Sequence, residues 1–257
     1  MKKKYLGLII ITFVMLLILT GCGEDDNTST SNKSTNKTNS TNKASTSQTA
    51  TNLDYETAAE EQLKAPEDGE EIAIMHVKDY GDIKMKFFKE VAPKAVENFV
   101  THAKDGYYDG LTFHRVINEF MIQGGDPEGN GTGGESIWGE GFGEELDRKL
   151  VPYRGTLCMA SRGTGTKSIG SQFFITQANY DEKMAAALKN ANYPEKLLDM
   201  YQKHGGYMSL YMSYTIFGQV FEGMDVVDKI AAVETNSSDK PTEDVIIESI
   251  EITTYQK

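Results

Sequence analysis

Two short stretches concentrate the residues able to do chemistry. "FHRVINEFMIQGGD" (Phe113–Asp126) sets one arginine, Arg115, among Phe120, Met121 and Gln123, and "GSQFFIT" (170–176) adds Gln172 and Phe174. Alternation along a strand places Phe113 and Arg115 on one face, with His114 and Val116 on the other. It likewise pairs Met121 with Gln123, and Gln172 with Phe174. A single cation among Phe, Met and Gln side chains would line a greasy groove. Such a groove suits an uncharged, apolar ligand that offers a carbonyl or an amide.

Other chemistries find less support. "GNGTGG" (129–134) has the spacing of a pyrophosphate cradle. That cradle needs a strand before it and a helix opening directly after, whereas "ESIWGEGFGEEL" follows with three more glycines. The glycines therefore read as a turn-rich loop, and no nucleotide is expected. His76, His102, His114 and His204 show no metal-ligand spacing with one another or with Cys158, so neither a metal nor another cofactor is expected. Cys158, in "TLCMA", reads as an inert core thiol.

The elements that must position these residues are short. "EIAIMHV" and "DIKMKFF" alternate and are joined through "KDYGD", which predicts a hairpin. "PKAVENFVTHAKDG" predicts a helix with Pro93 in its first turn and Gly106 beyond its end. Strands are expected at "LTFHRVI", "GTLCMAS", "QFFIT" and "TIFGQVF", followed by a helix "MDVVDKIAAV" and a last strand "DVIIESIEIT". Many short strands with two helices argue for an antiparallel barrel and against a doubly wound sheet.

"FHRVINEFMIQGGD", "GNGTGG", "GTLCMAS", "GSQFFIT" and "FGQVFEGMDVVDKI" together resemble the cyclophilin-type peptidyl-prolyl isomerases, in order and nearly in spacing, over roughly residues 71–253. The resemblance implies a mainly β fold, a closed eight-stranded antiparallel barrel capped by two helices. It implies rotation of X–Pro bonds without a cofactor, with Arg115 as the catalytic guanidinium and Gln123 contacting the substrate backbone. Phe120, Met121, Phe174 and Leu210 would wall the proline pocket. Ala160, Ser161, Gln172 and Tyr214 would complete the binding surface. Ser161 stands where many members have Asn, and Tyr214 where many have His. Ser209 stands where many carry Trp, which argues against tight cyclosporin binding but not against isomerase activity. A second reading is a module that binds proline segments as a chaperone or surface adhesin without required turnover, and Arg115 separates the two.

Between "FFIT" and "YTIFG" runs an insertion, about 178–208, with no counterpart in small members of the family. Its Ala-, Leu- and Lys-rich sequence, broken at Pro194, predicts two short helices stopped by Gly205-Gly206. It would form either an extra wall beside the groove or a packing ornament.

The N-terminus carries a separate message. Lys2, Lys3 and Lys4 precede an apolar run from Leu6 to Leu19 that ends in Leu19-Thr20-Gly21-Cys22. That run is short for a span and has the layout of a secretory signal. It resembles a bacterial lipoprotein box, which implies removal of residues 1–21, a lipid on Cys22, and a protein held at the extracytoplasmic face of the cell membrane. An uncleaved anchor helix is the alternative. From Asn27 to Asn52, 20 of 26 residues are Ser, Thr or Asn with no aromatic, too little apolar surface to offset ordering. Residues 22–66 are therefore expected to be a disordered tether, its Asn27–Asn52 stretch about 30 Å end to end, leading to a domain over 67–257. Cleavage takes the formal charge from −12 to −15, because three lysines leave with residues 1–21. An acidic surface disfavours nucleic acid. The expected partners are proline-containing exported polypeptides. Acylation of Cys22 would leave Cys158 without a disulfide partner.

Overall fold

Strand alternation builds the frame. The computed structural model describes residues 53–163, 165 and 167–257; the expected signal peptide, Cys22 and the tether as far as Asn52 lie outside them. The predicted hairpin is β1 (Glu71–Val77) and β2 (Gly81–Phe87), with Ile83 and Met85 buried as the alternation requires. Helix α2 (Pro93–Lys104) has no side-chain cap of its own at Ala92. The Glu145 carboxylate, from a distant loop, instead accepts from the backbone N–H groups of Lys94 (3.2 Å) and Ala95 (2.9 Å). Two of the helix's orphan donors are satisfied, and a negative charge sits at its positive end.

Next come β3 (Arg115–Ile117), β4 (Met121–Gly124), β5 (Thr156–Ser161) and β6 (Ile169–Thr176). Beyond the insertion lie β7 (Ile216–Glu222), helix α5 (Met224–Ala231) and β8 (Ile247–Thr254). The eight strands form one antiparallel sheet in the order β3-β4-β6-β5-β7-β2-β1-β8. Its concave side, with α2 and α5, encloses a core that includes Met85, Phe99, Ile122, Phe173, Phe217 and Ile230.

The expected closed barrel is corrected: the sheet is a strongly curled half-barrel. Its edges, β3 and β8, share no ladder. One isolated bridge, Thr112↔Ile246, and a few backbone bonds such as Phe113 N–H to Val245 O (3.0 Å) join the seam. The reason is local. Residues 105–110 run as turns, with Gly106 and Gly110 at positive φ (68° and 78°), so "LTFHRVI" yields only a three-residue strand.

Two further findings concern helices. Both insertion helices form, as α3 (Glu182–Asn190) and α4 (Glu195–His204), divided at Pro194 as expected. Within the stretch read as tether, however, Tyr55–Leu63 is helix α1, N-capped by the Asp54 carboxylate. Ordered structure thus begins well before residue 67. Gln62, 1 % exposed, fastens α1 to the convex side of the sheet. Its side chain donates to Val151 O (2.7 Å) and accepts from Val151 N (2.9 Å). The buried Lys86 ammonium donates to Glu61 O (3.0 Å) at the helix C-terminus, where a cation complements the negative end of the dipole. Ala59 of α1, Leu188 of α3, and Leu197 and Tyr201 of α4 share a second core with Val151, Tyr153 and Met208. The insertion and α1 are therefore one helical layer.

Candidate active site

The groove lies on the convex face, and register creates it. Arg115 pairs with Gln123, Gln123 with Phe174, and Phe174 with Cys158, so one row crosses β3, β4, β6 and β5. Partners in a row share a face. The alternate row Val116, Ile122, Ile175 and Leu157 faces the main core. Met121, Cys158, Phe174, Leu210 and Ile216 form an apolar floor, with Phe120, Ala160 and Tyr214 at its margin. Burial pushes the Cys158 thiol up, as suits an inert core group.

A cavity of about 280 Å³ opens over this floor, lined by Arg115, Phe120, Met121, Gln123, Ala160, Ser161, Phe174, Leu210 and Tyr214. Nine of the ten residues singled out in the sequence thus converge. The tenth, Gln172, lies in an adjoining recess of about 130 Å³ that shares Gln123, Ala160 and Ser161. There Gln172 accepts from Gln123 Nε2 (2.9 Å) and donates to Gly133 O (2.8 Å), which fixes the amide of Gln123. Leu210 sits in a short 3-10 turn, Met208–Leu210, and Tyr214 packs edge-on against Phe174 with ring centroids 5.3 Å apart.

Three residues were not found by sequence reasoning. His114 lines the groove beside Arg115, while Phe113 turns into the core. The expected sharing of a face by Phe113 and Arg115 therefore fails, because regular strand starts only at Arg115. Among the described residues neither His114 ring nitrogen has a hydrogen-bond partner, and burial holds its pKa below the ordinary value. Asp239 places a carboxylate oxygen 3.6 Å from Arg115 Nε. It comes from a tight turn at φ 61°, with its carbonyl accepting from Val116 N (2.8 Å). Tyr207, at the end of the insertion, stacks on Phe120 with centroids 4.3 Å apart. No periodic pattern marks the last two; only the fold brings them near.

"GNGTGG" wraps a side chain of the protein itself. The Asp126 carboxylate accepts from the backbone N–H of Glu128 (2.9 Å), Asn130 (3.1 Å) and Gly131 (2.6 Å). Burial works against this charge, but the converging N–H groups outweigh it and hold the pKa below the usual carboxylate range. Gly133 leaves room for that carboxylate, since a Cβ there would collide with Asp126 Oδ1. The anion these backbone donors bind is Asp126.

Comparison with known proteins agrees with this geometry. The family of cyclophilin-type peptidyl-prolyl cis-trans isomerases matches residues 72–252, and the chain belongs to that family. It is 47 % identical over 192 residues to a Staphylococcus saprophyticus protein named as a candidate peptidyl-prolyl cis-trans isomerase, covering 74 % of this chain and 96 % of that one. A Staphylococcus aureus relative of the same name is 46 % identical over 190 residues, with coverage of 74 % and 95 %. Among solved structures, a Cryptosporidium parvum cyclophilin-type isomerase, crystallised in the presence of the dipeptide Ala-Pro, is similar with a TM-score of 0.58. That structure is 32 % identical, covering 72 % of this chain and 99 % of the other. The chain is a peptidyl-prolyl cis-trans isomerase.

Proposed function

We propose that Arg115 is the catalytic group and that the convex groove turns X–Pro bonds of exported polypeptides at the outer face of the cell membrane. Rotation crosses a barrier of about 18–20 kcal/mol set by amide resonance. Half-way round, conjugation is lost and the proline nitrogen regains a lone pair. A guanidinium N–H donated to that nitrogen stabilises the twisted state and neither planar isomer, which is the condition for acceleration. Phe120, Met121, Phe174 and Leu210 grip the pyrrolidine ring, while Gln123, held by Gln172, and the Ala160–Ser161 backbone hold the peptide beside it. Each 1.36 kcal/mol removed gives about tenfold in rate, so a few such contacts suffice.

The observation that carries this reading is the row Arg115–Gln123–Phe174, which sets one cation beside an apolar pocket. An isomerase assay on an X–Pro peptide tests it. Arg115→Ala should lower kcat/KM about a hundredfold, as loss of a transition-state donor does, and leave affinity for the peptide nearly intact. Equal rates would remove Arg115 from the mechanism. The cellular setting rests on Leu19-Thr20-Gly21-Cys22 and the Ser/Thr/Asn-rich stretch. Two acyl chains on Cys22 would be enough for stable anchoring, so Cys22→Ser should move the protein from the membrane fraction to the medium or buffer.

A further inference from the structure

We propose that the prolyl groove continues into an apolar shelf built on Leu146 and Met212, over which the client polypeptide runs beyond its proline. The inference rests on the isomerase reading and extends it to the class of substrate: extended, unfolded chains with an apolar residue a few positions from the X–Pro bond. Tyr214 belongs to both surfaces. It lines the groove, and it also lines a shallow crease with Leu146, Asp147, Leu150, Met212 and Ile216. Leu150 and Ile216 are themselves buried, so the exposed apolar surface beside the groove is Leu146 and Met212, joined to it through Tyr214.

Two features distinguish this shelf from incidental exposure. Leu146 and Met212 are 43 % and 36 % exposed, and they rank among the four large apolar side chains most open to solvent in the described residues. Both flank Tyr214. Met212 also has φ 58°, a backbone region that costs an unbranched L residue energy and that clusters at functional sites.

The shelf is also held in shape. Glu145 N donates to Thr215 Oγ1 (2.8 Å) while its carboxylate caps α2, so the residue before Leu146 is fixed on both sides. Tyr211 Oη donates to Arg148 O (2.8 Å), tying the turn that bears Met212 to the loop that bears Leu146 and Leu150. A preformed apolar surface binds without an ordering cost of its own. Short X–Pro peptides would not reach it.

The test uses the double variant Leu146→Ser/Met212→Asn, in which Asn tolerates the positive φ. Both sites are exposed and outside the groove. Two probes are compared: a blocked X–Pro tetrapeptide, and a 12-residue peptide with the same X–Pro core and leucines on both sides. The variant should bind and turn over the tetrapeptide as the wild type does, and bind the long peptide about tenfold more weakly. Tenfold is less than the burial of two such side chains would contribute in full. Unchanged affinity for the long peptide, or an equal loss for both probes, overturns the shelf. The isomerase reading fails separately, if the wild type binds both peptides and turns over neither.

Discussion

The rings of Phe120 and Tyr207 lie 4.3 Å apart, tilted by 41°, across the junction between the proline pocket and the insertion. Through this contact the end of the insertion reaches the wall of the groove. Tyr207 is delivered by Gly205 and Gly206, at φ 65° and 107°; a Cβ on Gly206 would collide with Pro152 O. The Tyr207 N–H then donates to Pro152 O (2.9 Å), so the ring's position is set by backbone.

Tyr207→Ala should therefore loosen Phe120. An aromatic pair contributes about 1 kcal/mol beyond its buried area, which predicts a rise in KM of roughly fivefold with kcat little changed. Tyr207→Phe keeps the ring and should match the wild type. Steady-state kinetics on an X–Pro peptide separate the two, and an equal effect of Ala and Phe would point to the hydroxyl instead.

Asp239 acts on Arg115 from the other side. The pair is half-exposed, so its contribution to stability is small, about 0–1 kcal/mol. Its effect on aim should be larger. Asp239→Asn keeps the clamp from Val116 N to Asp239 O and removes the charge. We expect kcat to fall about three- to tenfold with the melting temperature nearly unchanged. A kcat equal to wild type would mean that the guanidinium is oriented by other contacts.

Gln62 should prove a stability residue far from the chemistry. Truncation to Ala leaves the Val151 N–H without its partner under α1, while Val151 O keeps the Tyr153 N–H (2.7 Å), at about 1–3 kcal/mol for an unsatisfied buried group. Urea denaturation should show the loss as a lower midpoint with the slope retained. A chain starting at Glu67 lacks α1 altogether and should be less stable still. Wild-type stability in that truncated chain would show that α1 is dispensable.

Histidine burial sets an acid limit. His102, His114 and His204 all have pKa values pushed below the ordinary 6.5, desolvation being the largest cause in each. The folded state therefore disfavours their protonation. Above about pH 6.5 both states are neutral and stability is complete. As pH falls below that value the unfolded chain takes up protons first, and stability declines until the folded pKa values are passed, by at most about 1.4 kcal/mol per pH unit for each group. Unfolding free energy measured between pH 7 and 5 should fall, and His114→Phe should flatten the slope. A flat wild-type profile would contradict the burial of these rings.

Much of this was legible in the residues themselves. Alternation in "EIAIMHV" and "DIKMKFF", the proline and glycine bounding α2, and the parity of Met121 with Gln123 and of Gln172 with Phe174 are local properties. A strand's two-residue period decides faces before any partner is present. The cyclophilin resemblance then supplied Leu210 and Tyr214, which no periodicity marks. What stayed hidden was non-local. Helix α1 carries a weak apolar stripe and is held by the polar side chain of Gln62 reaching Val151. Closure of the barrel failed because turns at Gly106 and Gly110 shortened β3. Asp239 and Tyr207 meet Arg115 and Phe120 only after long loops return. Sequence by itself determined the sheet's faces and the groove's chemical character, since those depend on neighbours a few bonds away. Tertiary structure alone decided which distant carboxylate and ring hold that groove in place, because such contacts depend on how the whole chain closes.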